Sequence, residues 1–163
     1  MKITFRQAGI QDIQLITELA HRIWKNHYTG IISSEQINYM LGKMYSPEKL
    51  LQEINQDVAF TLVYKDNNPL GYISISTTDN KTYVLHKFYI EVNSHREGLG
   101  SKLFLFALKQ LENPETIKLT VNRMNFSAIN FYFKNGFIIK EAVDFDIGNG
   151  FFMNDFVMEK TIL

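Results

Sequence analysis

The stretch YVLHKFYIEVNSHREGLGSKLFLFALKQL, residues 83–111, decides the fold, because the hydrophobic period changes inside it. From Tyr83 to Val92 the pattern is that of a strand, with Val84, Phe88 and Ile90 on one face and His86 interrupting it. From Leu99 the apolar residues recur at Leu103, Phe106, Ala107 and Leu111, one face of a helix. Phe104, Leu105 and Leu108 broaden that face until the helix must be largely buried, and Asn113-Pro114 ends it. Between strand and helix lies Ser94-His95-Arg96-Glu97-Gly98-Leu99-Gly100-Ser101-Lys102.

Upstream, Val58 to Lys65 and Leu70 to Thr77 read as strands joined by the turn Asp66-Asn67-Asn68-Pro69, and Asp79-Asn80 turns into the Tyr83 strand, which makes an antiparallel meander. Nearer the N-terminus, Ile3 and Phe5 suggest a short strand, and Ile13, Ile16, Leu19, Ala20, Ile23 and Trp24 recur at helical spacing. Ser33 with Gln36 fits a capping box, and Ser46 before Pro47 fits an N-cap with proline at the first helical position, so two short helices follow. Downstream, Ile117 to Val121 is a strand, Phe126 to Asn135 a short helix closed by Gly136, and Phe137 onward a hairpin around Asn149-Gly150, a type I′ signal. The order β-α-α-β-β-β-α-β-α-β-β predicts an α/β fold: a mixed, mostly antiparallel central sheet of about seven strands flanked by helices.

A chain of 163 residues with 45% hydrophobic and 21% charged residues suits one self-sufficient core, and no linker composition interrupts it, so residues 1–163 read as a single domain. Seventeen basic residues balance seventeen acidic ones, which removes the broad positive field that nucleic-acid binding needs; no nucleic-acid partner is expected. The absence of cysteine excludes disulfides, thiolate metal sites and a cysteine nucleophile. Four scattered histidines without ligand spacing predict no metal site. No signal-peptide pattern and no apolar run of membrane-spanning length is present, so the default expectation is a cytoplasmic protein without a membrane partner.

The glycine-opened helix start at Gly98 has the makings of an anion site. Glycines let the backbone approach a ligand, and the first-turn N–H groups with the helix dipole behind them favour a phosphate. Arg96 and Lys102 add local charge. A Walker loop is excluded, because no glycine stands five residues before Gly100. A dinucleotide fingerprint is excluded too: its third glycine would be at Leu103, and its acidic residue near 120, where Lys118, Leu119 and Thr120 stand.

The loop His95-Arg96-Glu97-Gly98-Leu99-Gly100, preceded by Leu85 to Ile90, together with the later run Asn125-Phe126-Ser127-Ala128-Ile129-Asn130-Phe131-Tyr132-Phe133-Lys134-Asn135-Gly136-Phe137, resembles the GNAT superfamily of acyl-CoA-dependent N-acyltransferases. The family loop reads Q/R-x-x-G-x-G/A and its later motif N-x-x-A-x-x-F-Y-x-x-x-G-F. The element order matches the family fold along essentially the whole chain. One departure is His95, where Gln or Arg is usual; most contacts there come from backbone N–H groups.

The resemblance implies direct transfer of an acetyl group from acetyl-CoA to a primary amine in a ternary complex, with acetyl-CoA as co-substrate and no metal. An alkylammonium of pKa near 10.4 is only about 0.04% neutral at pH 7, so freeing the nucleophile costs roughly 4 to 5 kcal/mol and calls for a base or water chain. His86 stands about where relatives often carry Glu and suits that base; it also suits a core histidine bonded to a backbone carbonyl. Glu91 is a second candidate. Tyr132 takes the family's place of proton donor to the departing thiolate, or simply packs between Phe131 and Phe133. The amides of Ile90 to Val92 would stabilise the oxyanion and pair with the pantetheine arm. The implied cofactor cradle comprises Phe88, Tyr89, Ile90, Val92, His95, Arg96, Glu97, Gly98, Leu99, Gly100, Ser101, Lys102, Asn125, Ala128, Phe131, Tyr132 and Lys134. Within it, Asn125 contacts cofactor or caps its helix, and Lys134 reaches a phosphate or stays solvated. The implied acceptor wall holds Trp24, His27, Tyr28, Glu91, Asp144, Asp146, Phe151, Phe152 and Asp155, where aromatics with carboxylates suit a cationic amine such as a polyamine, and where ordinary core aromatics and a solvated hairpin are the other reading. Peptide or protein amines, and a silent acyl-CoA-binding module, are the alternatives; a monomer or homodimer is expected.

Overall fold

Serine caps and an early proline shape the first third of the chain. A computed structural model describes residues 1–162, with only the backbone described at positions 95–97. Strand β1 (Ile3–Gln7) leads through a 3-10 turn (Ile10–Asp12) into α1 (Ile13–His27), which buries Ile16, Leu19, Ala20, Ile23 and Trp24. The Arg6 guanidinium grips both Asp12 oxygens at 2.9 and 2.7 Å and, with the Gly9 amide, holds the Asp12 carboxyl below its ordinary range. Helix α2 (Ser34–Met44) starts where Ser33 Oγ accepts the Gln36 amide at 3.1 Å, and α3 (Pro47–Asn55) where Ser46 Oγ accepts the Lys49 amide at 3.2 Å with Pro47 at the first helical position. Three helices therefore precede the meander, as the helical spacing and the two serine caps predict, although the condensed order β-α-α-β-β-β-α-β-α-β-β writes only two there.

The meander is β2 (Ala59–Lys65), β3 (Asn68–Thr77) and β4 (Thr82–Ile90). Its first turn is tighter than expected: Asp66 and Asn67 alone carry it, with φ of 48° and 67°, and Asn68 and Pro69 already belong to β3. The register skips Leu70 there, the irregularity that lets a proline sit in a strand. A second 3-10 turn (Val92–Glu97) leads to α4 (Leu99–Leu108), followed by β5 (Thr116–Asn122), α5 (Phe126–Lys134), β6 (Ile138–Gly148) and β7 (Phe151–Thr161). The seven strands form one sheet in the order β1-β2-β3-β4-β5-β7-β6. Strands β4 and β5 run parallel, with a register of Thr82 to Val84 against Thr116 to Lys118, while β1–β2, β2–β3, β5–β7 and β6–β7 are antiparallel. The expected mixed, mostly antiparallel sheet is thus present.

Two corrections concern α4. It ends at Leu108, not at Asn113-Pro114, and its buried face is narrower than read, since Leu105 is 53% exposed while Leu99, Leu103, Phe104 and Ala107 are buried. The Tyr83 hydroxyl explains the backbone after the helix: it donates to the Glu112 carbonyl at 3.0 Å and accepts the Glu112 amide at 3.2 Å. The β6–β7 hairpin turns at Asn149 and Gly150, φ 54° and 76°, as the dipeptide predicts.

The chain divides into two compact units, Met1–Ser76 with Lys87–Leu111, and Thr77–His86 with Glu112–Leu163. In the first, Trp24, Tyr45, Phe60, Tyr72, Leu103 and Phe104 are fully buried core. In the second, Ile117, Leu119, Val121, Ile129, Tyr132, Phe137 and Met158 are buried. Among the described residues, no helix is long and apolar enough to cross a membrane.

Candidate active site

Strand β4 is the element from which the site is built, because its two faces look at different helices. Phe88 stacks on Phe104 of α4, ring centroids 6.1 Å apart and planes 24° from parallel. Phe5 of β1 stacks on Phe106 of the same helix at 4.8 Å. On the opposite face Lys87 and Tyr89 meet the other helices. Tyr89 lies within 5.4 Å of the Trp24 ring, 5.9 Å of His27 and 6.2 Å of Tyr28, all on or just after α1, and 5.9 Å of Tyr72 on β3. The Tyr28 and Tyr89 hydroxyls are hydrogen-bonded at 2.9 Å. Glu91, next on that face, pairs with Arg22 of α1.

Beneath these rings the polar groups are buried. Tyr72 donates to the Tyr45 hydroxyl at 2.8 Å, and burial raises both phenols well above their ordinary range. Trp24 Nε1 is buried and makes no hydrogen bond among the described residues. Lys87, 3% exposed, donates to both oxygens of Glu53 on α3 at 2.8 Å and lies over the Tyr45 and Phe60 rings. Burial pushes its ammonium below the usual lysine range, and Glu53 opposes that shift.

The strand passes from this face to the glycine loop. Gly98 has φ +67° and is the N-cap of α4, and among the described residues no side chain caps the helix there. A methyl group at Gly98 would meet nothing within 4 Å, so it is the left-handed backbone and not crowding that demands glycine. First-turn amides left without a side-chain cap are donors for an anion. Leu99 is buried and anchors the turn, whereas Ser101 and Lys102 are exposed. The side-chain readings at His95, Arg96 and Glu97 lie outside the described residues.

In the second unit, Asn125 is 6% exposed and caps α5, its Oδ1 accepting the Ala128 amide at 3.4 Å. Tyr132 is 6% exposed and packs edge-to-face on Phe131 and Phe137, at 5.6 and 5.4 Å. Ala128 and Phe131 are half-buried and Lys134 is exposed. On the hairpin, Asp144 pairs with Arg123, and Phe152 is 49% exposed. Asp155 is buried on β7 opposite Asn122 of β5 and Val143 of β6, with Oδ1 making no hydrogen bond among the described residues. Burial pushes its carboxyl up to about 6, with Thr120 and Arg123 opposing.

The structure brings Trp24, His27 and Tyr28 together and adds Tyr89, which the sequence reading put with the cofactor; the Tyr89 side chain faces α1, away from α4. His86 is exposed, not a core histidine, on the β4 face that also carries Phe88. Ile90 is buried and Val92 exposed. Sequence reasoning missed Tyr45, Tyr72 and the Lys87–Glu53 pair. The signal for Lys87 was present: it shares strand parity with Tyr83 and Leu85, both buried, and a lysine at such a position needs a buried partner. Among the described residues there is no cluster of metal-ligating side chains.

A glycine-opened helix after the central strands, followed by a strand and a helix bearing an N-terminal Asn and an inner Tyr, keeps the order that the resemblance to acyl-CoA-dependent acyltransferases implies. The chain belongs to the GNAT acetyltransferase family, whose domain model, described as "Acetyltransferase (GNAT) domain", matches residues 28–153. It is an acetyltransferase with acetyl-CoA as co-substrate. The chain is similar to a spermidine N(1)-acetyltransferase of Thermoplasma acidophilum, 32% identical over 98% of each protein. It also resembles the crystal structure of the PaiA N-acetyltransferase from that organism in complex with coenzyme A, at 31% identity, TM-score 0.85, and 99% and 100% coverage of the two chains. Ard1 of Thermoplasma volcanium, 21% identical with TM-score 0.74 over 100% and 99% of the chains, is a likeness of fold alone.

Proposed function

We propose that the protein acetylates a polyamine on a primary amino group, by direct attack on acetyl-CoA in a ternary complex. The observation that carries this reading is the ring cluster of Trp24, His27, Tyr28 and Tyr89 with the Glu91 carboxylate on the same β4 face: aromatic surface beside a carboxylate suits a cationic, methylene-rich amine. The full-length similarity to a spermidine N(1)-acetyltransferase supports the same substrate class. No comparable observation favours a peptide acceptor. The family model runs through both compact units, which supports taking residues 1–163 as one catalytic domain. Acetyl-CoA as donor supports a cytoplasmic setting.

In this reading the first-turn amides of α4 at Gly98 to Lys102 receive the cofactor pyrophosphate. The amides of Ile90 and Val92 receive the oxyanion formed when the amine adds to the thioester carbon; the Glu91 amide between them is engaged by the Leu70 carbonyl at 2.9 Å and takes no part. Tyr132 then donates its phenolic proton as the C–S bond breaks, the thiol of CoA leaves, and the remaining extra proton on the attacking nitrogen restores the Tyr132 phenol, directly or through water. His86, exposed on β4, accepts the proton from the ammonium, directly or through water. No step needs a covalent enzyme intermediate, consistent with a chain that has no cysteine. Thiol release from acetyl-CoA, measured across polyamines, monoamines, amino acids, aminoglycosides and peptide N-termini, tests the proposal. Turnover confined to the non-polyamine arms, or no turnover with tight CoA binding, overturns it.

A further inference from the structure

Three consecutive same-face positions of β4 and its extension, 87, 89 and 91, meet the helical layer of α1 and α3, each in a different way. Lys87 is closed off by Glu53 and buried. Tyr89 is only partly buried, and so is His27 beside it, while Trp24 and Tyr28 behind them are buried. Glu91 is the outermost of the three, its side chain 25% exposed and paired with Arg22, which is 52% exposed. The Glu91 amide donates to the Leu70 carbonyl at 2.9 Å, so the extended spacing of the strand continues through it. Two residues of extended backbone put the Cα atoms of Tyr89 and Glu91 roughly 6.6 Å apart, so their side chains leave the strand as neighbours on one face.

We infer that Tyr89 and Glu91 together read the acceptor as a dication: the reacting amine end lies on the Tyr28–Tyr89 hydroxyl pair and ring faces, and the second ammonium takes the Glu91 carboxylate in exchange for Arg22. This rests on the polyamine reading above and assigns its specificity to named groups. The chemistry at the two positions differs in the useful direction. The Tyr28–Tyr89 pair offers phenol oxygens and π-faces but no formal charge, so the end that must lose a proton is not clamped as an ammonium by a carboxylate. The end that stays charged meets a full negative charge. Exchange at Glu91 is inexpensive, because a half-exposed ion pair is worth little in water, and a released Arg22 keeps its contact with the Pro69 carbonyl at 3.4 Å. The assignment moves the Tyr89 side chain from cofactor to acceptor recognition and gives Glu91 a binding role in place of a catalytic one.

Initial-rate kinetics on the full chain with spermidine, 1,4-diaminobutane and n-pentylamine as acceptors tests the inference. Wild type is expected to prefer the di- and tri-cation over the monoamine by at least 30-fold in kcat/KM. Glu91→Gln should cut that ratio below 5-fold, and Arg22→Gln, which frees the carboxylate, should lower the spermidine KM severalfold. Tyr89→Phe should raise the KM of all three amines about fivefold or more while the acetyl-CoA KM stays within twofold, a split that loss of folding would not produce. An unchanged preference in Glu91→Gln, a kcat loss in that variant shared equally by the monoamine, or a Tyr89→Phe effect on acetyl-CoA instead of the amine overturns the inference alone. Wild-type turnover of no polyamine overturns the polyamine reading together with it.

Discussion

Gly71 on β3 lies so close to the carbonyl of Tyr89 on β4 that a single methyl group there would collide with it, and would also press on Ile90 at 2.9 Å. The strand that carries the acceptor-facing tyrosine is thus seated against its neighbour through an atom that is missing. Because the obstructing atoms include backbone, a side-chain rotation cannot make room.

Gly71→Ala is therefore expected to destabilise the protein by about 1–3 kcal/mol, the range for overpacking a tight interior. Thermal unfolding should show this as a fall of roughly 3–10 °C in Tm. A Tm within 1 °C of wild type (about the precision of the measurement) would show that the strands part without cost.

The Lys87–Glu53 pair should behave as a buried ion pair does. Lys87→Met leaves a carboxylate without its counter-charge and is expected to cost about 3–5 kcal/mol, whereas the double variant Lys87→Met, Glu53→Leu should recover most of that loss. A double-mutant cycle by urea denaturation measures the coupling; additive losses would show that the two groups stabilise the fold independently.

Asp155 gives a pH signature. Its folded pKa of about 6 lies above the unfolded value of about 3.9, so between those values the native state holds the extra proton. The stabilising effect of that proton is complete below about pH 4 and lost as pH rises through 6, a change of up to about 3 kcal/mol. Asp155→Asn, which imitates the protonated carboxyl, should raise stability at pH 8 and change it little at pH 4. Chemical denaturation at both pH values checks this, and equal effects at the two would refute it.

If Tyr132 gives its proton to the departing thiolate, Tyr132→Phe should lower kcat by about 10²-fold, the scale of a lost general acid, with the acetyl-CoA KM within twofold. Tyr132 is packed against Phe131 and Phe137, so phenylalanine preserves the ring contacts and isolates the hydroxyl. Stopped-flow thiol detection resolves the step, and an unchanged kcat would leave Tyr132 a packing residue.

Much of this architecture could be read from local chemistry. Ser33, Ser46 and Pro47 specify helix starts by hydrogen bonds that span three residues, and Asn149-Gly150 specifies a turn by φ alone; such features need no tertiary context. The glycine at 98 was legible for the same reason. What stayed hidden depends on partners remote in sequence. Tyr45 and Tyr72 stand 27 residues apart and become a pair only when α2 docks on β3. The side on which Tyr89 acts was set by which helix covers which face of β4, and a motif position does not carry that information. The end of α4 was misjudged because the Tyr83 hydroxyl, not the downstream proline, holds the backbone at Glu112.

The alternation along β4 has an evolutionary consequence. Phe88 serves the face of α4, and Lys87, Tyr89 and Glu91 serve the face of α1 and α3, so even and odd positions of one strand answer to separate demands. Substitutions at the odd positions can retune one half of the chemistry without disturbing the other. A single-residue insertion in the strand would do the opposite and exchange the two sets wholesale. Drift in acceptor preference is thus open to point mutation, and indels in this strand are closed.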